Sequence, residues 1–430
     1  MKISSILAIL ISTLFITSCK EEPTKPSTET NLTLEVLDKS CTEVWIDVKA
    51  NDQANKLGSV YLNDEFRTQF YLKDTLVYLD ELLPNKTYSI KLTNQDGIGT
   101  QTEFTTMDTT SHNFTWETFE FGGEGGSSYL RDVAIINEND IWAVGEIFTA
   151  DTYTYDSSGV FQHPYNAVHW DGNEWELIRI GGYGYPGYHT VYAFNENDVW
   201  FDGKIKWDGN SYTAHTNNFP LYPNGDAWTV NGMWGESSSD FYVVGNGGNI
   251  AHFNGSSWSK IESGTDLDIQ DIYGSKNKGS NKYEILVVAS VRFQNNGISF
   301  IKINENDTSS RMLTDGLPWS ISCLWFRSGA KYFIGGSGLY QNIDLKKSWE
   351  IVGGQPSYFI NKIRGVELND IVFCGSNGVL SHYNGKSWKH YMSNELPYIN
   401  GRYYSVATEG NLMVAVGYKQ RSVTIVIGRR

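Results

Sequence analysis

Asn137-Glu138-Asn139-Asp140-Ile141-Trp142-Ala143-Val144-Gly145 returns further along as Asn195-Glu196-Asn197-Asp198-Val199-Trp200-Phe201-Asp202-Gly203. Weaker copies occupy residues 239–245, 369–375, 330–335 and 411–417. A second motif follows the strong copies: Trp170-Asp171-Gly172-Asn173-Glu174-Trp175, then residues 207–212, 253–258 and 383–388. Asp-Gly or Asn-Gly between apolar runs is a hairpin signal, because both residues tolerate positive φ. Each unit therefore reads as four short strands. The first strand carries an apolar anchor: Val133, Val191, Met233, Ile272, Leu324, Ile363 and Val406.

Four-stranded units at intervals of about 40–50 residues are the signature of a β-propeller, whose sheets must stack because none buries both faces alone. The last unit stops at Gly428 without its outer hairpin. The missing strand appears upstream, where Trp116-Glu117-Thr118-Phe119 matches Trp175-Glu176-Leu177-Ile178. A ring closed by strands from both ends predicts seven blades over residues 114–430. Six or eight are the alternatives, since the unit at 268–313 is degenerate. The repeat resembles the loose propeller family with Asp-Val-Trp-Ala-Val-Gly and Asp-Gly-x-x-Trp elements, and its turn is similar to the Asp-box of sialidase-like propellers without the leading Ser. The resemblance implies the fold and leaves function open.

Composition agrees. The 430 residues include 42 Gly and 10 Pro, with 14% aromatic and 19% charged residues. The net charge is −15, which disfavours nucleic acid as a partner.

The amino terminus reads as an address. Lys2 precedes an apolar stretch from Ile6 to Ile16, too short for a bilayer core that needs about 20 residues. Ile16-Thr17-Ser18-Cys19 resembles a bacterial lipobox, which implies cleavage of residues 1–18 and lipidation of Cys19. Lys20-Glu21-Glu22 resembles the surface-export signal of Bacteroidota-type lipoproteins. The implied location is the outer membrane, surface-exposed, with the periplasmic face as the alternative. Residues 19–30 read as a flexible tether. Cys41, Cys323 and Cys374 remain in the body, an odd count that gives no disulfide framework.

Residues 31–107 contain seven strand-like runs. Val44, Ile46 and Val48 alternate with Glu43, Trp45, Asp47 and Lys49, which predicts one buried and one wet face. Leu79-x-x-Leu82-x-Pro84-x-x-Thr87-Tyr88 resembles the signature of fibronectin type III domains, in which the tyrosine bonds back to the backbone. The expected fold is thus all-β: a small Ig/fibronectin III-like sandwich, acting as a spacer, followed by the seven-bladed β-propeller. Trp45 departs from the family pattern, pointing away from Val44 and Val48.

Catalytic signatures are absent: no Gly-x-Ser-x-Gly, no His-Glu-x-x-His, no phosphate-binding Gly-Lys-Ser/Thr. No metal or cofactor is expected. His169, His252 and His382 share a repeat slot with Lys206, so packing roles are expected for all four. The Asp residues opening the repeat, such as Asp140, are expected to cap local backbone. Five loops between units carry Pro beside Tyr or Trp, at residues 181–188, 219–228, 316–319, 353–359 and 395–404. They offer Tyr188, Trp228, Trp319, Tyr358 and Tyr398 as an aromatic rim. Just inside, the first strands present a polar column of Arg131, His189, Asn231, Gln270, Ser322, Asn361 and Tyr404. Such a face suits a glycan or a partner protein. The expected function is non-catalytic binding by a membrane-anchored protein. A propeller glycosidase or lyase, a glycosyltransferase-like enzyme, and a structural subunit of an envelope complex are the alternatives.

Overall fold

The computed structural model describes residues 32–50, 56–181, 187–304, 306–391 and 395–430. Cys19 and the rest of the amino-terminal address lie outside the described residues. No helix among the described residues is long and apolar enough to cross a membrane.

Described strands up to residue 105 form two antiparallel sheets. One has three strands in the order Leu32–Lys39, Val44–Ala50, Thr75–Leu79; the other has four, Glu65–Tyr71, Leu57–Leu62, Thr87–Asn94, Gly99–Thr105. Val44, Ile46, Val48, Val60, Ile90 and Leu92 fill the space between them. The backbone N–H of Leu83 donates to the Tyr88 hydroxyl at 2.9 Å, pinning the corner before the sixth strand.

The described residues from 115 onward build seven four-stranded antiparallel sheets. We number them I (129–178), II (191–214), III (230–262), IV (269–311), V (321–351), VI (360–391) and VII (401–429). Sheet VII takes its fourth strand, Thr115–Phe121, from the other end of the chain, with Phe119 opposite Ile425. The degenerate unit folds like the rest. The first strand of each sheet packs on the first strand of the next, and that of sheet VII packs back on that of sheet I. The anchor column is buried throughout, from Val133 to Val406, because these side chains fill the seams between neighbouring sheets.

The repeat motifs acquire local reasons. Asp171 accepts from the N–H groups of Asn173 and Glu174, and Asp208, Asn254 and Asn384 do the same in their sheets. Only the following glycine has positive φ, 96° at Gly172 and 90° at Gly209. The turn is therefore an Asx turn with one left-handed residue, and not the expected pair of left-handed residues. The shared histidine slot pairs with the shared aspartate across adjacent strands. His169 lies 2.9 Å from Asp140, His252 2.9 Å from Asp240, His382 3.0 Å from Asp370, and Lys206 3.0 Å from Asp198. Each partner stands opposite the residue two positions after its aspartate, as in Trp142 opposite His169. These aspartates thus bind a cross-strand side chain where a local backbone cap was expected.

The first domain is docked against the ring, where a free spacer was expected. Trp45 is fully buried, and it packs with Trp325, Ala330 and Phe333 of sheet V. The face expected to be wet is the interface. Lys331 meets Glu43 at 2.7 Å, and Lys278 meets Asp38 at 2.9 Å. Lys278 lies in the turn between the first and second strands of sheet IV, and Lys331 opens the second strand of sheet V. The domain therefore docks on sheets IV and V at the end of the ring opposite Gln270 and Ser322, which lie at the start of those first strands.

Candidate functional site

First strands enter the ring at one end and leave at the other, so their opening residues gather around the axis. Six of the seven residues of the polar column do so. Arg131, His189, Asn231, Gln270, Asn361 and Tyr404 line one cavity of about 320 Å³, at the end away from the docked domain. Ser322 does not join them. It is buried, and its hydroxyl donates to the Ile360 carbonyl at 2.5 Å.

A second cavity of about 300 Å³ occupies the other half of the axis, lined by residues such as Ile135, Tyr192, Trp234 and Arg364. Asp132 and Lys362 line both cavities and mark the waist between them. Beneath the waist Asp271 is fully buried, 2.9 Å from Lys362 Nζ and 2.8 Å from Arg364. Burial alone pushes its carboxyl up, but Arg364 and Lys362 outweigh that and hold it at about 2. Asp132 accepts from the Ser405 hydroxyl at 2.7 Å and the Val191 N–H at 3.2 Å. The waist thus holds two polar clusters, one around Asp132 tying sheets I, II and VII and one around Asp271 tying sheets IV, V and VI.

The upper cavity also holds residues that the repeat did not single out: Asn246, Asp268 and Arg292. Arg292 arrives from the loop between the strands Tyr283–Ser290 and Ile298–Ile303. Phe293 beside it has φ 61°, a left-handed conformation costing about 1–3 kcal/mol for such a residue, and its ring lies 4.6 Å from that of Phe359. Burial lowers the Arg292 pKa from its ordinary value, and the like charge of Arg131 adds to this. The Arg131 guanidinium lies 4.5 Å from the Tyr129 ring and 4.8 Å from the Tyr404 ring. Arg402 stacks over Tyr404 and Phe293 at 5.6 and 5.8 Å. Burial lowers the His189 pKa against the pull of Asp202, favouring the neutral imidazole. The signal for Arg292 was present in sequence only as the one irregular loop of the degenerate unit.

The aromatic rim divides. Trp319, Tyr358 and Tyr398 are 45%, 41% and 68% exposed on successive loops. Tyr188 and Trp228 are buried and do not stand on the rim. Trp228 donates to the Pro220 carbonyl at 2.8 Å and lies 5.1 Å from Phe219, while Tyr188 packs against Phe201. A loop aromatic next to a seam gains more from filling it than from facing water.

No protein-family model matches the chain, and no curated protein is detectably similar to it. Solved structures do resemble it. A structure described as YCF48 bound to D1 peptide has a TM-score of 0.52 at 14% identity, covering 75% of this chain and 96% of that one. The WD40 beta propeller domain of Doa1 gives 0.48 at 14% identity, covering 74% and 97%. An extracellular domain from B. thetaiotaomicron gives 0.47 at 12% identity, covering 94% of this chain and 59% of that chain. The chain is all-β, built largely from four-stranded sheets, and its fold is similar to that of propeller structures.

Proposed function

We propose that the chain is a lipid-anchored, exported binding protein. In this reading its seven sheets are the blades of a seven-bladed propeller, joined to a fibronectin III-like sandwich. Its upper cavity and surrounding loops hold a segment of a partner protein without transforming it. The observation that carries this is the convergence of five residues from five sheets, with His189 just before sheet II, on one polar cavity facing away from the docked domain. Non-catalytic binding is supported by the state of the two carboxylates lining it. Asp132 is engaged as described, and Asp268 accepts from the Gly247 N–H at 2.9 Å. The neighbour bound to a peptide supports a protein ligand. A glycan is the second reading, favoured by the exposed faces of Trp319, Tyr358 and Tyr398, which suit sugar rings. Anchoring at Cys19, surface display through Lys20-Glu21-Glu22 and an outer-membrane location rest on the sequence.

The test is retention of the protein on peptide and glycan arrays. The double variant W319A/Y358A is expected to lose retention while melting at the unaltered temperature. Retention equal to that of the unaltered protein sinks the proposal.

A further inference from the structure

The upper cavity concentrates positive charge in a chain whose net charge is −15. Arg131, Arg292 and Lys362 line it, and Arg402 stands behind Tyr404. Lys362 is committed to Asp271. None of the three arginines is held by a carboxylate, although Arg131 also meets the Tyr129 hydroxyl. The buried Nε atoms of Arg131, Arg292 and Arg402 meet no hydrogen-bond acceptor, and no carboxylate pairs with these side chains among the described residues. Elsewhere among the described residues Arg179, Arg327, Arg364, Arg429 and Arg430 each hold a carboxylate, whereas Arg67, Arg311 and Arg421 do not.

Asp132 and Asp268 share the cavity, but each accepts from other donors and neither pairs with an arginine, so these half-buried guanidinium groups lack a direct anionic partner. Aromatic rings hold two of the groups, Tyr129 and Tyr404 beside Arg131 and Tyr404 and Phe293 beside Arg402. A guanidinium edge with free N–H donors matches the two oxygens of a carboxylate. Phe293, strained and wedged on Phe359, fixes the backbone from which Arg292 reaches the cavity. We infer that the upper cavity is a carboxylate-binding site, in which Arg292 and Arg131 receive an acidic group from the bound segment of the partner protein. This inference rests on the binding role proposed above and names the chemistry of its ligand.

The test uses three fluorescent probes: a short Gly/Glu peptide, its Gly/Gln counterpart, and a galacturonic acid oligomer of equal charge. Anisotropy is read on the full-length protein. The Glu peptide is expected to bind, the Gln peptide to bind about tenfold more weakly or worse, and added salt to weaken only the former. R292Q and R131Q should each weaken Glu-peptide binding by about tenfold, with R292K retaining part of it. Melting curves identify any variant that fails to fold, and the probe comparison on the unaltered protein stands without them. Equal binding of Glu and Gln peptides overturns the carboxylate site while leaving the binding role intact. Failure of every acidic probe also overturns it, and loss of array retention in W319A/Y358A still reports on the binding role separately. Binding of the uronic acid oligomer alone overturns the protein segment as the source of the carboxylate.

Discussion

The Nζ of Lys331 lies 2.7 Å from Oε1 of Glu43, and both side chains are close to fully buried. This pair joins the amino-terminal domain to sheet V. Glu43 also accepts from the Tyr78 and Ser40 hydroxyls, so its carboxylate is held from three sides. Removing one partner strands the other charge. K331A is expected to destabilise the protein by about 3 kcal/mol in urea unfolding, and the apolar double variant K331M/E43L by much less. Equal losses would place the pair in solvent.

Gly385 and Gly297 share a φ of 90°, so both strain an L side chain equally. Their surroundings differ. A Cβ on Gly385 would sit 2.2 Å from Cys41 Sγ in the docked domain, whereas nothing lies within 4 Å of one on Gly297. G385A should therefore lose about 1–3 kcal/mol more stability than G297A in matched thermal melts. Matching losses would mean that the docking contact yields freely.

The segment between the domains is tied down by two histidines. His112 and His382 approach at 2.9 Å through their Nδ1 atoms, and Asp370 and Arg430 complete the group. Burial, followed by the charge of His382, lowers the pKa of His112 to about 4. His382 is also lowered, by burial first. The unfolded chain, with histidines near 6.5, binds more protons between pH 4 and 6.5. The stability from His112 is therefore fully present above pH 6.5 and is lost as pH falls toward 4. Urea melts across that window should show a falling midpoint for the unaltered protein and a flatter profile for H112Q.

Ring closure is tested at Phe119. It belongs to the strand borrowed by sheet VII, yet its ring lies 5.4 Å from Trp170 and 6.3 Å from Trp175 of sheet I. F119A should cost about 2–3 kcal/mol, somewhat below the loss for a fully buried phenylalanine. A change within a few tenths of a kcal/mol would argue that this seam contributes little.

Where residues recur, the sequence was readable, because each repeat is an independent copy of one local solution. The anchor from Val133 to Val406, the borrowed strand at Trp116 and the column from Arg131 to Tyr404 were all found by counting along the repeat. Residues that occur once resisted such reading. Arg292 sits in an irregular loop and has no counterpart to align with. Tyr188 and Trp228 looked like Trp319 in composition and differ only in the seam that receives them. Trp45 appeared misplaced because one domain was read alone, while its burial partners Trp325 and Phe333 lie far along the chain.

Local sequence determined the strand pattern, the Asx turns at Asp171 and its counterparts, and the pairing of each repeat aspartate with its histidine or lysine. Those interactions span a few residues or one hairpin, so the chain carries them in its spacing. Only the tertiary structure decided that the first domain docks at one end of the ring, that Asp271 balances Lys362 and Arg364, and that three arginines without a carboxylate partner gather at the other end. These depend on which distant surfaces exclude water together, and burial of that kind is a property of the assembled fold.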